Sequence, residues 1–216
     1  WLAPQPVAAL PGIGPAAVRR LASSGITRLG QLAALDDRSA LARLGEEGPA
    51  LAARARGEDH RPVTPDRETK SISAETTFGT DLRSVAELEA PLWRMCEKLA
   101  RRLAAKGFAA GGITLKLKTS RFEARTRAAR LATATLVPET LFAAARPLLA
   151  READGTAFRL IGLGAAPLVE AAGADAGDLA DPAAPGRAAK WRAIEALRAR
   201  FGETAIQSGR ALDRKP

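Results

Sequence analysis

The chain has 216 residues, of which 46% are hydrophobic and 26% charged, which is enough apolar material for one large folded domain or two small ones. Its formal net charge of +9 favours a polyanionic partner, either nucleic acid or an anionic membrane surface. One cysteine and one histidine exclude an internal disulfide, a zinc site and a histidine-dependent catalytic triad, and no apolar run approaches the roughly 18 residues that span a bilayer.

Residues 1–60 are predicted to form a small all-α domain, because short helical segments alternate with glycines that end them. Proline just inside the start of a helix and glycine just past its end are the usual boundary signals. These signals predict helices over 15–22, 29–35, 39–44 and 49–56, after a single turn over 6–9. The polar, proline-containing stretch 61–69 is predicted to be an exposed linker.

A turn with a glycine at both ends, Gly12-Ile13-Gly14, directly precedes the first of these helices. This pattern is typical of the helix-hairpin-helix motif, in which backbone N–H groups and the start of the next helix bind a DNA phosphate. We therefore expect DNA contacts at Gly12, Ile13, Gly14 and Ala17, with the N–H groups of Gly12, Gly14 and Ala17 as donors. An ordinary tight turn between two helices is the alternative.

From residue 70 the hydrophobic period changes, and residues 70–170 are predicted to form an α+β domain of order β-α-β-β-α-β. Alternating apolar and polar residues predict strands, whereas an apolar stripe that repeats every three or four residues predicts a helix. The predicted strands are 70–77, 113–119, 123–131 and 158–164, and the predicted helices are 84–106 and 138–151. This order predicts a mixed sheet with both helices on one face.

Most of the positive charge falls in this domain, where residues 70–170 carry 16 basic and 10 acidic side chains. Strand alternation places Lys116 and Lys118 on one face of their strand, and Arg125 and Arg127 on one face of the next. We expect these four side chains to form a single basic face that contacts phosphates, which fixes position on DNA rather than reading sequence. A solvated sheet face is the alternative, although such faces usually mix charges of both signs.

The sequence predicts neither a base-stacking platform nor a catalytic centre. Aromatic residues are 4% of the chain and tyrosine is absent, whereas single-strand binding needs exposed rings at intervals, so duplex DNA is the better target. No phosphate-binding loop, zinc-protease helix or nucleophile elbow is present. The adjacent acids Asp36 and Asp37 do not face each other on a helix, and Asp36 is predicted to cap one instead. We therefore expect no catalytic and no metal-binding residue.

Residues 171–216 are predicted to be a tether followed by a C-terminal amphipathic helix. The stretch up to residue 185 is rich in alanine, glycine and aspartate, which is typical of a flexible linker. The helix is predicted over 187–201, and the side of it that packs on the preceding domain carries Trp191, Ile194, Leu197 and Phe201.

Three motifs together resemble a known family: residues 10–14 (L-P-G-I-G), residues 70–78 (K-S-I-S-A-E-T-T-F) and residues 158–164 (F-R-L-I-G-L-G). They are similar to the C-terminal half of Y-family translesion DNA polymerases of the bacterial DNA polymerase IV class, and the resemblance covers nearly the whole chain. It implies a helical thumb that holds the primer-side backbone, followed by a little-finger domain whose sheet contacts template phosphates. With the charge pattern, it implies little-finger contacts at Lys70, Ser71, Ser73, Lys116, Lys118, Thr119, Arg121, Arg125, Arg127 and Arg159.

The resemblance also implies a function, which is sequence-independent binding of primer–template duplex DNA within an error-prone DNA-directed DNA polymerase. Such a polymerase acts in translesion synthesis and DNA repair. The palm and fingers, which hold the catalytic Mg²⁺ ions in this family, have no counterpart in the sequence, so the chain alone is expected to be inactive. Its start at Trp1 favours a fragment.

Two alternatives to a polymerase fragment stay open at this point. A non-catalytic, polymerase-like adaptor protein in mutagenic repair would have the same fold and the same DNA contacts. An unrelated helix-hairpin-helix repair subunit would account for the first 57 residues, but it leaves the strand at 70–78 unexplained.

Members of this family often carry a sliding-clamp peptide of the type Asp-Leu-Phe in the C-terminal tether. The corresponding residues here are Asp178, Leu179 and Ala180. Ala180 lacks the aromatic ring that fills the clamp pocket, which argues against clamp binding. The chain is further expected to be a monomer in the bacterial cytoplasm, associated with the nucleoid and not with a membrane.

Overall fold

A computed structural model describes residues 1–63, 68–177 and 181–211 of the chain. The chain divides into two compact units, Trp1–Arg67 and Glu68–Pro216, each with an apolar core of its own. The described ranges leave out Asp178 and Leu179, so the predicted clamp-binding residues lie outside the part of the chain that has a described structure.

The first unit is all-α, as predicted. A 3₁₀ helix at Val7–Ala9 is followed by α1 (Pro15–Ser23), α2 (Leu29–Ala33), α3 (Asp37–Leu44) and α4 (Gly48–Arg56). Asp36 caps α3, since its Oδ1 accepts a hydrogen bond from the Ser39 N–H at 2.7 Å, and this bond lowers the pKa of Asp36 below its usual value. The core is built from buried residues of every helix, among them Leu21, Leu29, Leu32, Leu44 and Leu51.

The second unit has the predicted order of strands and helices, with one short strand more than expected. Its elements are β1 (Ile72–Leu82), α5 (Val85–Ala105), β2 (Phe108–Thr119), β3 (Ala124–Thr135), α6 (Pro138–Glu152), β4 (Phe158–Ala165), β5 (Leu168–Glu170) and α7 (Ala184–Phe201). The strands lie in the order β1-β4-β2-β3, and β5 pairs with the start of β2.

The expectation of a mixed sheet is wrong in one respect, because every strand pairing in the described residues is antiparallel. A strand–helix–strand unit gives parallel neighbours only when it joins adjacent strands. Here α5 connects β1 to β2 with β4 between them, and α6 connects β3 to β4 with β2 between them. Each crossover therefore joins two parallel strands that are not neighbours.

Helices α5 and α6 pack on the same face of the sheet and bury its apolar side chains. Helix α5 begins with a capping box, in which the Ser84 hydroxyl accepts from the Glu87 N–H while the Glu87 carboxylate accepts from the Ser84 N–H at 2.8 Å. The bonds from Ser84 lower the pKa of Glu87. Cys96 is buried in the same helix, and desolvation raises the pKa of its thiol.

The first part of the predicted tether is fixed to the sheet domain rather than extended. The carboxylate of Asp175 accepts hydrogen bonds from the Thr135 hydroxyl and from the Leu136 N–H, the latter at 2.8 Å. These bonds fasten the chain after β5 to the junction between β3 and α6. The glycine- and alanine-rich composition gave no sign of this contact, since it depends on a single aspartate.

The C-terminal helix α7 packs on the second unit, as predicted, but through half of its expected apolar side. Trp191 is buried in the core and Ile194 packs against it, whereas Leu197 and Phe201 are exposed. The helix is held further along by a buried ion pair, with Arg198 Nη2 lying 3.0 Å from Glu97 Oε1 on α5. The amphipathic stripe therefore ends at Ile194, and a polar contact replaces its second half.

Candidate nucleic-acid interface

The register of the strand pairs divides the side chains of the sheet between two faces. Directly paired residues project on the same side, and the side covered by α5 and α6 is termed the helix face. The opposite side is termed the open face, and most of its polar side chains are exposed or half-buried. Its residues are Ser73, Glu75, Thr77, Thr114, Lys116, Lys118, Ala124, Thr126, Ala128, Arg130, Leu160, Gly162 and Gly164.

The middle of the open face is formed by glycines of the central strand β4. Gly162 pairs with Glu75 on one side and Lys116 on the other, and Gly164 pairs with Ser73 and Thr114. A Cβ atom on Gly162 would lie 2.9 Å from the Cβ of Glu75, too close for a larger residue to fit without movement. This glycine floor lets a ligand backbone approach the sheet closely between two rows of polar side chains.

Cations rim the glycine floor on the side of β2 and β3. Lys116 and Lys118 lie on the open face as predicted, and Arg130 of β3 lies there with them. Among the described open-face residues only Glu75 is acidic, and its Oε2 lies 2.8 Å from the Nζ of Lys116. The open face therefore keeps a net positive charge after this pair is counted.

The prediction that Arg125 and Arg127 share a face with the two lysines is wrong. Arg125 pairs with Leu117 and Arg127 with Leu115, so both arginines lie on the helix face. There they meet Glu152 at the end of α6. Arg127 Nε is 2.7 Å from Glu152 Oε1, and Arg125 Nη1 is 3.7 Å from Glu152 Oε2. Because the Glu152 side chain is only 8% exposed, these arginines compensate a buried carboxylate that would otherwise be unpaired.

The loop after α6 supplies a second carboxylate to Arg125. Asp154 Oδ2 lies 3.2 Å from Arg125 Nη1. Hydrogen bonds from Thr156, with a smaller contribution from Arg125, lower the pKa of Asp154 to about 2. Asp154 therefore stays ionised at neutral pH, and Arg125 is engaged on the helix face by two acids.

Thr119, predicted to contact DNA, is a structural residue of the β2–β3 hairpin. Its side chain is buried, and its Oγ1 accepts a hydrogen bond from the Glu123 N–H at 3.2 Å. The Thr119 N–H in turn donates to the Glu123 carbonyl at 2.9 Å. The hydroxyl thus closes the hairpin loop from inside and lies away from the open face.

The remaining predicted residues of the second unit lie at the edges of the open face. Lys70 and Ser71 are exposed just before β1, and Arg121 is exposed in the β2–β3 hairpin loop. Arg159 sits where the register of β4 shifts, and its guanidinium carbon lies 4.1 Å from the centre of the Phe122 ring. These cations extend the positive charge beyond the glycine floor.

In the first unit, the predicted hairpin has a conformation that requires glycine. Gly12 has φ +92°, a left-handed value that favours glycine, and Gly14 is the N-cap of α1. Arg54 of α4 fastens the turn by donating from Nη1 to the Pro11 carbonyl at 3.1 Å. The turn is therefore preformed.

The N–H groups of this hairpin differ in their availability. Within the described first unit, those of Gly12, Gly14 and Ala17 donate to no protein acceptor. Ile13 was expected among the DNA contacts, but its side chain is buried in the core and its N–H donates to the Leu10 carbonyl at 3.1 Å. Ile13 therefore anchors the turn while its neighbours present free donors.

Several residues of the open face and its hairpin loop were not identified as candidates from the sequence. Thr126 and Arg130 share a face with the lysines, but they could be assigned to it only once the pairing of β2 with β3 was known. Glu75 and the two floor glycines were part of the family motifs without being singled out. The exposed Phe122 in the hairpin loop was overlooked because the overall aromatic content is low.

Two absences hold for the described ranges 1–63, 68–177 and 181–211. No group of three or more His, Cys, Asp or Glu side chains there is placed to hold a metal ion. The Mg²⁺ implied by the family resemblance is accordingly assigned to no residue of these ranges. No helix within them is long and apolar enough to cross a membrane.

The chain is similar to a known domain family and to several curated proteins. Residues 69–179 match the impB/mucB/samB family C-terminal domain. The chain is 46% identical over 213 residues to DNA polymerase IV of Caulobacter vibrioides, and this match covers 98% of the chain and 52% of that protein. It is 41% identical over 209 residues to DNA polymerase IV 1 of Mesorhizobium japonicum, and this match covers 97% of the chain and 48% of that protein. The chain thus spans about half the length of the curated relatives it matches.

Proposed function

Since the chain belongs to the impB/mucB/samB family and corresponds to the C-terminal region of Y-family polymerases of the DNA polymerase IV class, we propose that it binds the backbone of primer–template DNA without regard to sequence. In this proposal the whole protein is an error-prone DNA-directed DNA polymerase that acts in translesion synthesis and repair. Its Mg²⁺ ions would be held by residues outside this chain. Its place of action would be the nucleoid in the bacterial cytoplasm.

The open face is the observation that carries this proposal. Its glycine floor admits a close approach, and Lys118 and Arg130 beside the floor offer charges that reach phosphate oxygens. Hydroxyls of Ser73, Thr114 and Thr126 add short hydrogen-bonding groups. Contacts of this kind hold a duplex by its backbone and carry no direct sequence information.

The hairpin of the first unit supports the same function independently. The N–H groups of Gly12, Gly14 and Ala17 have no acceptor within the described first unit and lie beside the N-terminal end of α1, where the helix dipole is positive, which suits a single phosphate. Because this contact uses backbone donors, it too is indifferent to base identity. Two separate phosphate-binding elements in one chain favour DNA over an isolated anion as the ligand.

The test is a titration of duplex binding by fluorescence anisotropy over a range of salt concentrations. Each phosphate neutralised contributes about −0.9 to the slope of log K against log salt. Lys118→Ala and Arg130→Ala should each make the slope shallower by about that amount. Arg151→Ala is the matched control, since Arg151 is exposed on α6 and belongs to neither the open face nor an ion pair of the described chain.

Two results would contradict the proposal. One is an affinity that stays flat between low and moderate salt, because phosphate binding must release counterions. The other is an equal change of slope in Lys118→Ala, Arg130→Ala and Arg151→Ala, because the loss would then reflect total charge rather than the open face.

A further inference from the structure

The loop between β2 and β3 presents an aromatic ring to solvent in an unusual backbone conformation. Phe122 is 60% exposed and has φ +66°, a left-handed value that bulky residues rarely adopt. Glycine or asparagine would occupy this position with less strain and without exposing apolar surface. Residues held in this way at exposed sites are candidates for function.

The loop that carries Phe122 is fastened to its own domain by hydrogen bonds. The Phe122 N–H donates to the Thr119 carbonyl at 2.9 Å, and the Ser120 N–H donates to the Ala157 carbonyl at 2.9 Å. Thr119 closes the loop from inside with its hydroxyl. A loop fixed in this way loses less entropy than a free loop when a ligand stacks on its ring.

Two cations of the sheet flank this ring. The guanidinium carbon of Arg159 lies 4.1 Å from the ring centre, and the Nζ of Lys118 lies 5.3 Å from it. Arg121 is exposed in the same loop. The ring therefore sits at the end of the open face, within a positively charged surround that matches a polyanion.

A nucleobase attached to a phosphate has the chemistry that fits this arrangement. Its flat face stacks on the ring, and its phosphate meets the neighbouring cations. Bases inside a duplex are stacked on both sides already, whereas an unpaired base has a face available. We propose that Phe122 stacks one unpaired base of a single-stranded segment next to the duplex on the part of its ring that the two cations leave exposed, with Lys118 and Arg159 beside its phosphate.

This inference rests on the proposed DNA binding and adds a second substrate element to it. It also narrows the expectation, drawn from the low aromatic content, that the chain has no surface on which bases stack. A platform for many bases needs several rings, whereas one exposed ring serves for one base.

The chain offers a closely matched control for the test. Phe201 at the end of α7 is 62% exposed, and the guanidinium carbon of Arg200 lies 5.1 Å from its ring centre. It therefore has the same residue type, exposure and cationic neighbour, but it lies on the terminal helix. The DNA probes are a blunt duplex and the same duplex with a short single-stranded extension of the template strand.

Phe122→Ala is expected to weaken binding of the extended DNA by about 5-fold or more, and to change binding of the blunt duplex less than about 2-fold. Phe122→Leu keeps the apolar bulk and the backbone strain, so it should lose as much as Phe122→Ala. Phe122→Trp should retain binding, and Phe201→Ala should change neither DNA. A 2-aminopurine placed in the extension should be quenched by the unaltered chain and not by Phe122→Ala.

Three outcomes would overturn the inference. Equal losses on both DNAs would make Phe122 a duplex contact, and equal effects of Phe122→Ala and Phe201→Ala would make it an ordinary exposed aromatic. An unaltered chain that binds the blunt duplex but gains nothing from the extension would contradict the stacking alone. Failure to bind either DNA would instead contradict the proposed function.

Discussion

On the helix face of the sheet, Arg125 and Arg127 converge on the carboxylate of Glu152, whereas on the open face Lys118 is half-buried and Arg130 is exposed. The four cations come from the same two strands, and ion pairs within the described chain engage the first two and not the second two. A cation beside a buried carboxylate stabilises the fold, while an exposed cation is available to a ligand. In this hairpin, the face of the sheet on which a cation lies therefore separates stabilising residues from candidate binding residues, and the number of cations does not.

The largest expected effect comes from removing both helix-face arginines. The double variant Arg125→Ala/Arg127→Ala leaves Glu152 buried without its partners, and we expect it to lower the free energy of unfolding by about 3 kcal/mol. Urea denaturation measures this loss. At temperatures where the variant is folded, its salt slope for DNA binding should equal that of the unaltered chain.

The open-face pair is the matched control, since Lys118→Ala/Arg130→Ala removes the same charge. It should reduce the salt slope and leave the urea midpoint nearly unchanged, because neither side chain is buried or belongs to an ion pair of the described chain. If the helix-face variant also made the slope shallower, Arg125 or Arg127 would contact DNA and the distinction between the faces would fail.

The bounds of single helices and strands could be predicted from the sequence, because the hydrophobic pattern of an element depends on that element alone. The apolar stripe predicted a helix over 84–106, and α5 spans Val85–Ala105. A closing strand was likewise predicted over 158–164, and β4 spans Phe158–Ala165. These signals lie within one element and need no knowledge of its neighbours.

The pairing of two strands is not encoded in either strand alone. Lys118 pairs with Ala124, so the hairpin loop is 119–123. A loop longer or shorter by one residue would turn Arg125 and Arg127 to the open face, because side chains alternate with a period of two. Thr119, Phe122 and Glu123 define that loop through contacts that the sequence pattern does not show. The face of the two lysines was thus predicted correctly, whereas the face of Arg125 and Arg127 was not.

A smaller effect is expected from filling the glycine floor. In Gly164→Val, the new Cβ would have its nearest neighbour, the Ser73 Cβ, at an ordinary 3.5 Å, and valine favours strands. The fold should therefore keep its stability, while the added bulk keeps DNA away from the sheet. We expect a loss of DNA affinity of about tenfold, or ~1.4 kcal/mol, measured by anisotropy. Unchanged affinity would mean that DNA does not approach the sheet at the floor.

The smallest expected effect has the opposite direction and concerns Glu75. Its carboxylate holds Lys116 at 2.8 Å, so this lysine must exchange a protein partner for a phosphate when DNA binds. Glu75→Gln keeps the shape of the side chain and removes its charge. We expect it to tighten DNA binding by a factor of about 2 to 5, which is the range of an exposed ion pair of up to about 1 kcal/mol.

Glu123→Gln separates this pairing from a general change in charge, because Glu123 is exposed in the hairpin loop and belongs to no ion pair of the described chain. It should tighten binding less than Glu75→Gln does. In a Lys116→Ala background, Glu75→Gln should lose most of its effect, since the partner that it frees is absent. Weaker binding by Glu75→Gln alone would mean that the carboxylate orients Lys116 toward the DNA. The open face would then resemble the helix face in using an acid to position its cation.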